Sequence, residues 1–331
     1  MKKSLIWAFI FSVAFFIPLY FLTDWWQLLH ILQHVSTDYL LAGFVVFFLA
    51  NVARAIRFRL LDRTQQPLLF WWVVNQAYNL MTATLPGGAG EAATVLALKR
   101  LSSYSIPGGI RVLLMTRVMD LAWFCVMLLQ SLLFISGTVT YVQPVIVLAS
   151  ALLALTVVLL HPATEQYILR FAKRLVPASF PFAVKIHDNL ELLHDLAQQQ
   201  RGESRHAKAI GLSFLVVYGA ALSIHLTFLA FGIDFNLNQT LYCYGIYALF
   251  QLVPVQGIAG IGTQAAWWAL ALSAAGNLSD DFTALGFLLH ATFYVFIAVL
   301  GFAALVIFLY LAAKKSRSDK NTNTTAINSD R

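Results

Sequence analysis

Apolar runs long enough to cross a bilayer recur along the whole of this chain, and they leave few alternatives for its fold. A spanning helix needs about 20 consecutive, mostly apolar residues. Residues 5–22, 39–56, 112–135, 144–160, 210–231 and 282–313 each approach or exceed that length. The chain is 60% hydrophobic and only 11% charged, whereas soluble domains carry about 25% charged residues. A soluble catalytic domain is therefore excluded. The net charge of +7 does not point to nucleic acid, because charge in a membrane protein is read loop by loop. Cys125 and Cys243 both fall in apolar segments, which argues against a disulfide framework or a metal cluster. Lys2 and Lys3 before an apolar run suggest a signal peptide, but the run is long and no small-x-small cleavage site follows. It reads as a retained first helix.

Two stretches interrupt this pattern. Residues 68–85 and 92–98 flank Leu85-Pro-Gly-Gly-Ala-Gly-Glu91, and residues 241–253 and 258–275 flank Pro254-Val-Gln-Gly-Ile-Ala-Gly-Ile-Gly262. Irregular backbone at membrane depth survives only inside protein or along a polar cavity, since lipid offers no hydrogen bonds. A segment as short as 92–98 cannot cross about 30 Å of hydrocarbon. Each break therefore reads as a re-entrant hairpin.

Placing Lys2 and Lys3 in the cytoplasm, and returning each hairpin to its side of entry, puts all 22 Lys and Arg on the cytoplasmic side. The outer links 24–38, 136–143, 232–238 and 276–281 carry none, as the positive-inside rule requires. Both termini are then cytoplasmic. The order of parts also repeats. Span 39–56, the break at Pro86 and span 112–135 form one set; span 210–231, the break at Pro254 and span 282–313 form another, entered from the opposite side. Interrupted helices at matching places in inverted repeats point to a transporter with its site near the midplane. The expected fold is an all-α polytopic membrane protein with about six full transmembrane helices plus two re-entrant broken-helix hairpins in inverted repeat. It forms one domain, residues 1–313, followed by a disordered cytoplasmic tail, 314–331. Within it, 161–208 is cytoplasmic and amphipathic: Ile168, Phe171 and Leu175 share a face beside Arg170, Lys173 and Arg174, as in a basic helix lying on anionic lipid.

Candidate site residues cluster at the breaks. Glu91 opens the helix after the first break, where the dipole favours a carboxylate; it reads either as a cap or as the partner of a buried arginine, a cation or a proton. Arg117 and Asp120 lie three apart and can pair on one helical face, and Asp120 enters apolar sequence where it needs a partner. Arg54 and Arg57 share a face near the cytoplasmic boundary. Their guanidinium forks suit lipid phosphate, with topology and snorkelling as the alternative. Pro86, Gly87, Gly88, Gly90, Pro254, Gly257, Gly260 and Gly262 are backbone devices that permit close approach and free amides for an anion. His30 and His34 lack a third ligand, so no metal is expected. Trp71, Trp72, Trp267 and Trp268 fit interfacial anchors. No Gly-x-x-x-x-Gly-Lys-Ser/Thr occurs, so neither ATP nor another cofactor is implied.

The helix end Arg54-Ala-Ile-Arg57, the Leu85-to-Glu91 break, Arg117-Val-Met-Asp120 and the later Pro-Gly-rich break resemble the flippase-like membrane region of lysylphosphatidylglycerol synthases. The likeness runs from about residue 39 to residue 313. In the aminoacyl-lipid synthases a soluble transferase domain follows, and this chain carries none, so the resemblance implies lipid movement without lysine transfer. It suggests a stand-alone bacterial inner-membrane protein that moves an anionic phospholipid or a polyprenyl phosphate between leaflets, passively or coupled to an ion. The expected partner is membrane lipid and not nucleic acid. One departure stands out: the family's second break usually ends in an acid, whereas Gly260-Ile-Gly-Thr-Gln264 places a neutral amide there. Two rivals remain. One is a lipid-modifying enzyme with Glu91 or Asp120 as general base, although no nucleophile motif supports an enzyme. The other is a non-transporting scaffold acting through 161–208.

Overall fold

A computed structural model describes residues 16, 17, 20, 21, 23–62, 66–85, 89–101, 106–134, 142–160, 204–251, 258–260, 262–276 and 282–329. Ten α-helices account for nearly all of them: α1 (Trp25–Gln33), α2 (Thr37–Leu61), α3 (Leu68–Thr84), α4 (Ala89–Leu101), α5 (Ile106–Phe134), α6 (Val142–Leu160), α7 (Ser204–Ala230), α8 (Leu237–Phe250), α9 (Thr263–Ala275) and α10 (Phe282–Ser329). No strand occurs among the described residues. Among the described residues five helices are long and apolar enough to cross a membrane: α2, α5, α6, α7 and the Phe282–Tyr310 part of α10. The protein is an all-α, multi-pass membrane protein. The expected first span, 5–22, lies outside the described residues, except for isolated positions at its end.

The helices around the two breaks are short, with 17 residues in α3, 13 in α4, 14 in α8 and 13 in α9. At 1.5 Å per residue each falls below the bilayer's hydrocarbon thickness. Local chemistry sets where they begin and end. Pro67 occupies the N-cap of α3, where its missing N–H costs nothing. Asn236 and Gln239 close a reciprocal capping box on α8, Asn236 Oδ1 accepting from Gln239 N at 2.9 Å. The α9 helix starts later than the apolar pattern suggests, at Thr263 instead of residue 258. The cause is the backbone before it: Ala259, Gly260 and Gly262 take φ of 53°, 66° and 80°, and a chain in the left-handed region cannot continue an α-helix.

Packing joins these elements into one bundle. The most extensive contact is between α2 and α7, which approach closely because small residues meet there. A Cβ on Gly43 would lie 3.2 Å from the Ser223 carbonyl oxygen, and one on Gly219 would lie 3.2 Å from Ala50 Cβ. Ser223 Oγ also donates to the Gly43 carbonyl at 2.8 Å, the usual glue between spanning helices. The pair α3 and α4 packs together and against α10 and α5 respectively; α8 and α9 pack together and against α5 and α10. Trp71 and Trp268 are buried, at 1% and 2% exposure, so they are core residues and not the interfacial anchors expected from their position. Trp268 stacks on Tyr247 with centroids 3.8 Å apart. The α10 backbone stays helical through Ser329, across most of the tail that composition assigns to disorder. Residues 161–203, and with them nearly all of the expected amphipathic segment, lie outside the described residues.

Candidate functional site

The first break brings α2, α3, α4 and α5 together around two ion pairs. Arg57 on α2 grips Asp120 on α5 with both terminal nitrogens, Nη1 to Oδ1 and Nη2 to Oδ2 at 3.0 Å. Nη1 also donates to Ser213 Oγ on α7 at 2.6 Å. Their side chains are 1% and 14% exposed. Arg117 on α5 pairs instead with Glu91 in the first turn of α4, Nη2 to Oε1 at 2.9 Å, and these side chains are 58% and 41% exposed. The Arg117 guanidinium also donates to the Tyr78 hydroxyl on α3 and sits 5.6 Å from that ring's centroid.

This arrangement corrects one expectation. Arg117 and Asp120 do not pair along their own helix; each carboxylate takes an arginine from, or gives its charge to, a neighbouring element. An in-helix pair would have left Arg57 uncompensated in the core and Glu91 without a cation. Crossing the pairs satisfies all four charges, and a buried unpaired charge is the costlier alternative. A second consequence concerns Arg57, expected to hold a phosphate: its terminal nitrogens are already occupied by Asp120 and Ser213.

Behind the ion pairs runs an amide chain that the sequence reading did not single out. Asn51 on α2 donates to the Phe47 carbonyl at 2.9 Å and accepts through Oδ1 from Asn75 at 3.0 Å and from Asn79 at 2.6 Å. Asn79 then offers its own Oδ1 to Arg54 Nη1 at 3.1 Å. Asn51, Asn75 and Asn79 are all buried. The signal was present: Asn75 and Asn79 stand four apart on an otherwise apolar helix, which places two amides on one face. Gly90 allows the helices to meet here, since a Cβ on it would lie 2.6 Å from both Thr82 Cα and Thr82 N. Pro86, Gly87 and Gly88 lie outside the described residues.

The second break is built from neutral groups. Gln264, in the first turn of α9, accepts at Oε1 from the Tyr247 hydroxyl and from Gln251 Nε2, and returns a hydrogen bond from Nε2 to Gln251 Oε1 at 3.2 Å. Gly260 lies against this group: a Cβ there would meet Gln264 Cγ at 2.4 Å and His290 Cε1 at 3.2 Å. Pro254 and Gly257 lie outside the described residues. Of the expected site residues, Arg54, Arg57, Gly90, Glu91, Arg117 and Asp120 therefore gather around the first break, and Gly260, Gly262 and Gln264 around the second.

Comparison with known proteins gives one positive result. No curated protein and no solved structure matches this chain. A family model described as the lysylphosphatidylglycerol synthase TM region matches residues 5–301. That stretch contains both breaks and every residue of the two polar clusters, and on that match the chain belongs to the lysylphosphatidylglycerol synthase TM region family.

Proposed function

We propose that this protein is a lipid translocase that moves an anionic phospholipid or a polyprenyl phosphate between leaflets of a bacterial inner membrane, with both termini cytoplasmic. The observation that carries the reading is the half-exposed Glu91–Arg117 pair at the start of a short helix inside a membrane domain. The openness of this pair leaves the Arg117 guanidinium within reach, so a lipid phosphate can compete with the Glu91 carboxylate for it. The released carboxylate then takes up a proton or a cation, which offers a route to ion coupling. The buried Arg57–Asp120 pair holds the frame while this exchange occurs. Acyl chains stay in lipid and only the head group passes the polar residues.

The reading of α3 with α4 and α8 with α9 as re-entrant hairpins in inverted repeat draws support from the packing. Exchanging α2 with α7, α3 with α8, α4 with α9 and α5 with α10 turns the main packing partners into one another. Such a fold binds substrate between its repeats. The protein acts without enzymatic chemistry in this account, and its partner is membrane lipid.

Glu91→Gln tests the site. Because glutamine keeps the size of the side chain and an oxygen that can still accept from Arg117, stability should change little. Loss of a charge-assisted exchange should slow lipid movement by roughly tenfold or more. Thermal unfolding in detergent together with a reconstituted transport assay separates the two effects. A parallel fall in stability and transport would assign Glu91 to capping α4 and remove it from the site.

A further inference from the structure

We infer that Arg54 is the anion anchor of this site and that it takes one monoanionic phosphodiester, an inference that rests on the lipid-handling reading above. Three guanidinium groups, Arg54, Arg57 and Arg117, meet two carboxylates, Asp120 and Glu91. Asp120 is held by both terminal nitrogens of Arg57, and Glu91 is held by Arg117. Among the described residues Arg54 has no carboxylate partner. Its described hydrogen bond goes to a neutral amide oxygen, Asn79 Oδ1 at 3.1 Å, and its Nε is buried with no hydrogen-bond partner among the described residues. Among the described residues the cluster therefore carries one excess positive charge.

That excess sits in an apolar bundle where an uncompensated cation is expensive and marks a functional position. The surroundings orient Arg54 without neutralising it. The Asn79 amide nitrogen is committed to Asn51, whose own nitrogen is committed to the Phe47 carbonyl. The amide chain is thus fixed with an oxygen toward the guanidinium, which positions Arg54 without supplying charge. Asp120, Tyr78 and Tyr244 lie within its electrostatic reach, but Asp120 is already engaged by Arg57. One negative charge brings the cluster to neutrality. A phosphodiester supplies that single charge in a form that suits a guanidinium fork. A zwitterionic lipid brings its own cation and leaves the excess in place.

The experiment is a thermal-stability titration of the full chain in neutral detergent with short-chain phosphatidylglycerol, short-chain phosphatidylcholine and inorganic phosphate. For the wild type, half-maximal stabilisation by phosphatidylglycerol is expected at a concentration about tenfold or more below that for phosphatidylcholine, the scale of one charge-assisted contact. Inorganic phosphate should not reproduce it. Arg54→Gln should erase the preference for phosphatidylglycerol, Arg54→Lys should keep part of it, and Arg59→Gln, at an exposed position outside the cluster, should keep it all. Equal effects of the two lipids on the wild type would overturn the inference even if Arg54→Gln failed to fold. So would an unchanged preference in Arg54→Gln, or a matching effect of inorganic phosphate, which would make the anchor a site for the free anion. Equilibrium binding requires no transport, so failure here is distinct from failure of the translocase reading.

Discussion

Replacing Arg57 with glutamine is expected to destabilise the protein by about 3–5 kcal/mol, the usual result of removing one partner of a buried ion pair. Arg57 is 1% exposed and Asp120 is 14% exposed. Glutamine would leave the Asp120 carboxylate among packed helices without its cation, and Ser213 Oγ would lose its donor. Asp120→Asn should be comparably damaging, because it strands the guanidinium. Removing both charges together, as Arg57→Met with Asp120→Leu, should recover most of the loss, since a well-packed apolar pair replaces an ion pair at little net cost. Thermal unfolding in one detergent for the two single variants and the double variant gives the coupling energy. Single variants within about 1 kcal/mol of the wild type would show that the pair is solvated and not part of the frame.

Gly90→Ala should be the most damaging single-methyl change in the described residues of the first break. The added Cβ would sit 2.6 Å from Thr82 Cα and Thr82 N. Both atoms belong to the α3 backbone, so no side-chain rotation relieves the clash and α4 must move away. Overpacking of this kind costs about 1–3 kcal/mol. The displacement also carries Glu91, the next residue, away from Arg117. Stability and lipid movement should therefore fall together, in contrast to Glu91→Gln, where transport falls alone. Gly211→Ala is the control: nothing lies within 4 Å of a Cβ there, and Ala is favoured over Gly in a helix by about 0.5–1 kcal/mol. If Gly90→Ala behaves like Gly211→Ala, the close approach of α3 and α4 is not required.

The spans were legible because apolar length is a direct physical signal. The helices at Thr37–Leu61, Val142–Leu160 and Phe282–Ser329 contain the runs read at 39–56, 144–160 and 282–313, and those at Ile106–Phe134 and Ser204–Ala230 match the runs at 112–135 and 210–231 to within one residue at the end. Glu91 at the start of α4 was also legible, from the dipole argument and the glycines before it. The pairing was not. Spacing along one helix places Arg117 beside Asp120, but which carboxylate faces which guanidinium depends on how α2 and α4 rotate against α5. Asn51 and Ser213 escaped for the same reason: each acts only through a residue far away in sequence. The burial of Trp71 and Trp268 shows the converse, that an aromatic residue near a hairpin can be core when another element covers it. The departure at Gln264 was visible in the sequence, while its hydrogen bonds with Tyr247 and Gln251 required the helices to be placed.

The central claim is that this protein moves lipid across the bilayer. The most direct measurement is reconstitution of the wild type into liposomes containing head-group-labelled phosphatidylglycerol, its lysyl derivative or undecaprenyl phosphate, followed over time for loss of protection of the inner-leaflet label. The account predicts movement of at least one of these lipids well above the rate in protein-free liposomes, with or without an ion gradient. Rates equal to the protein-free control for all three, under both conditions, would contradict it.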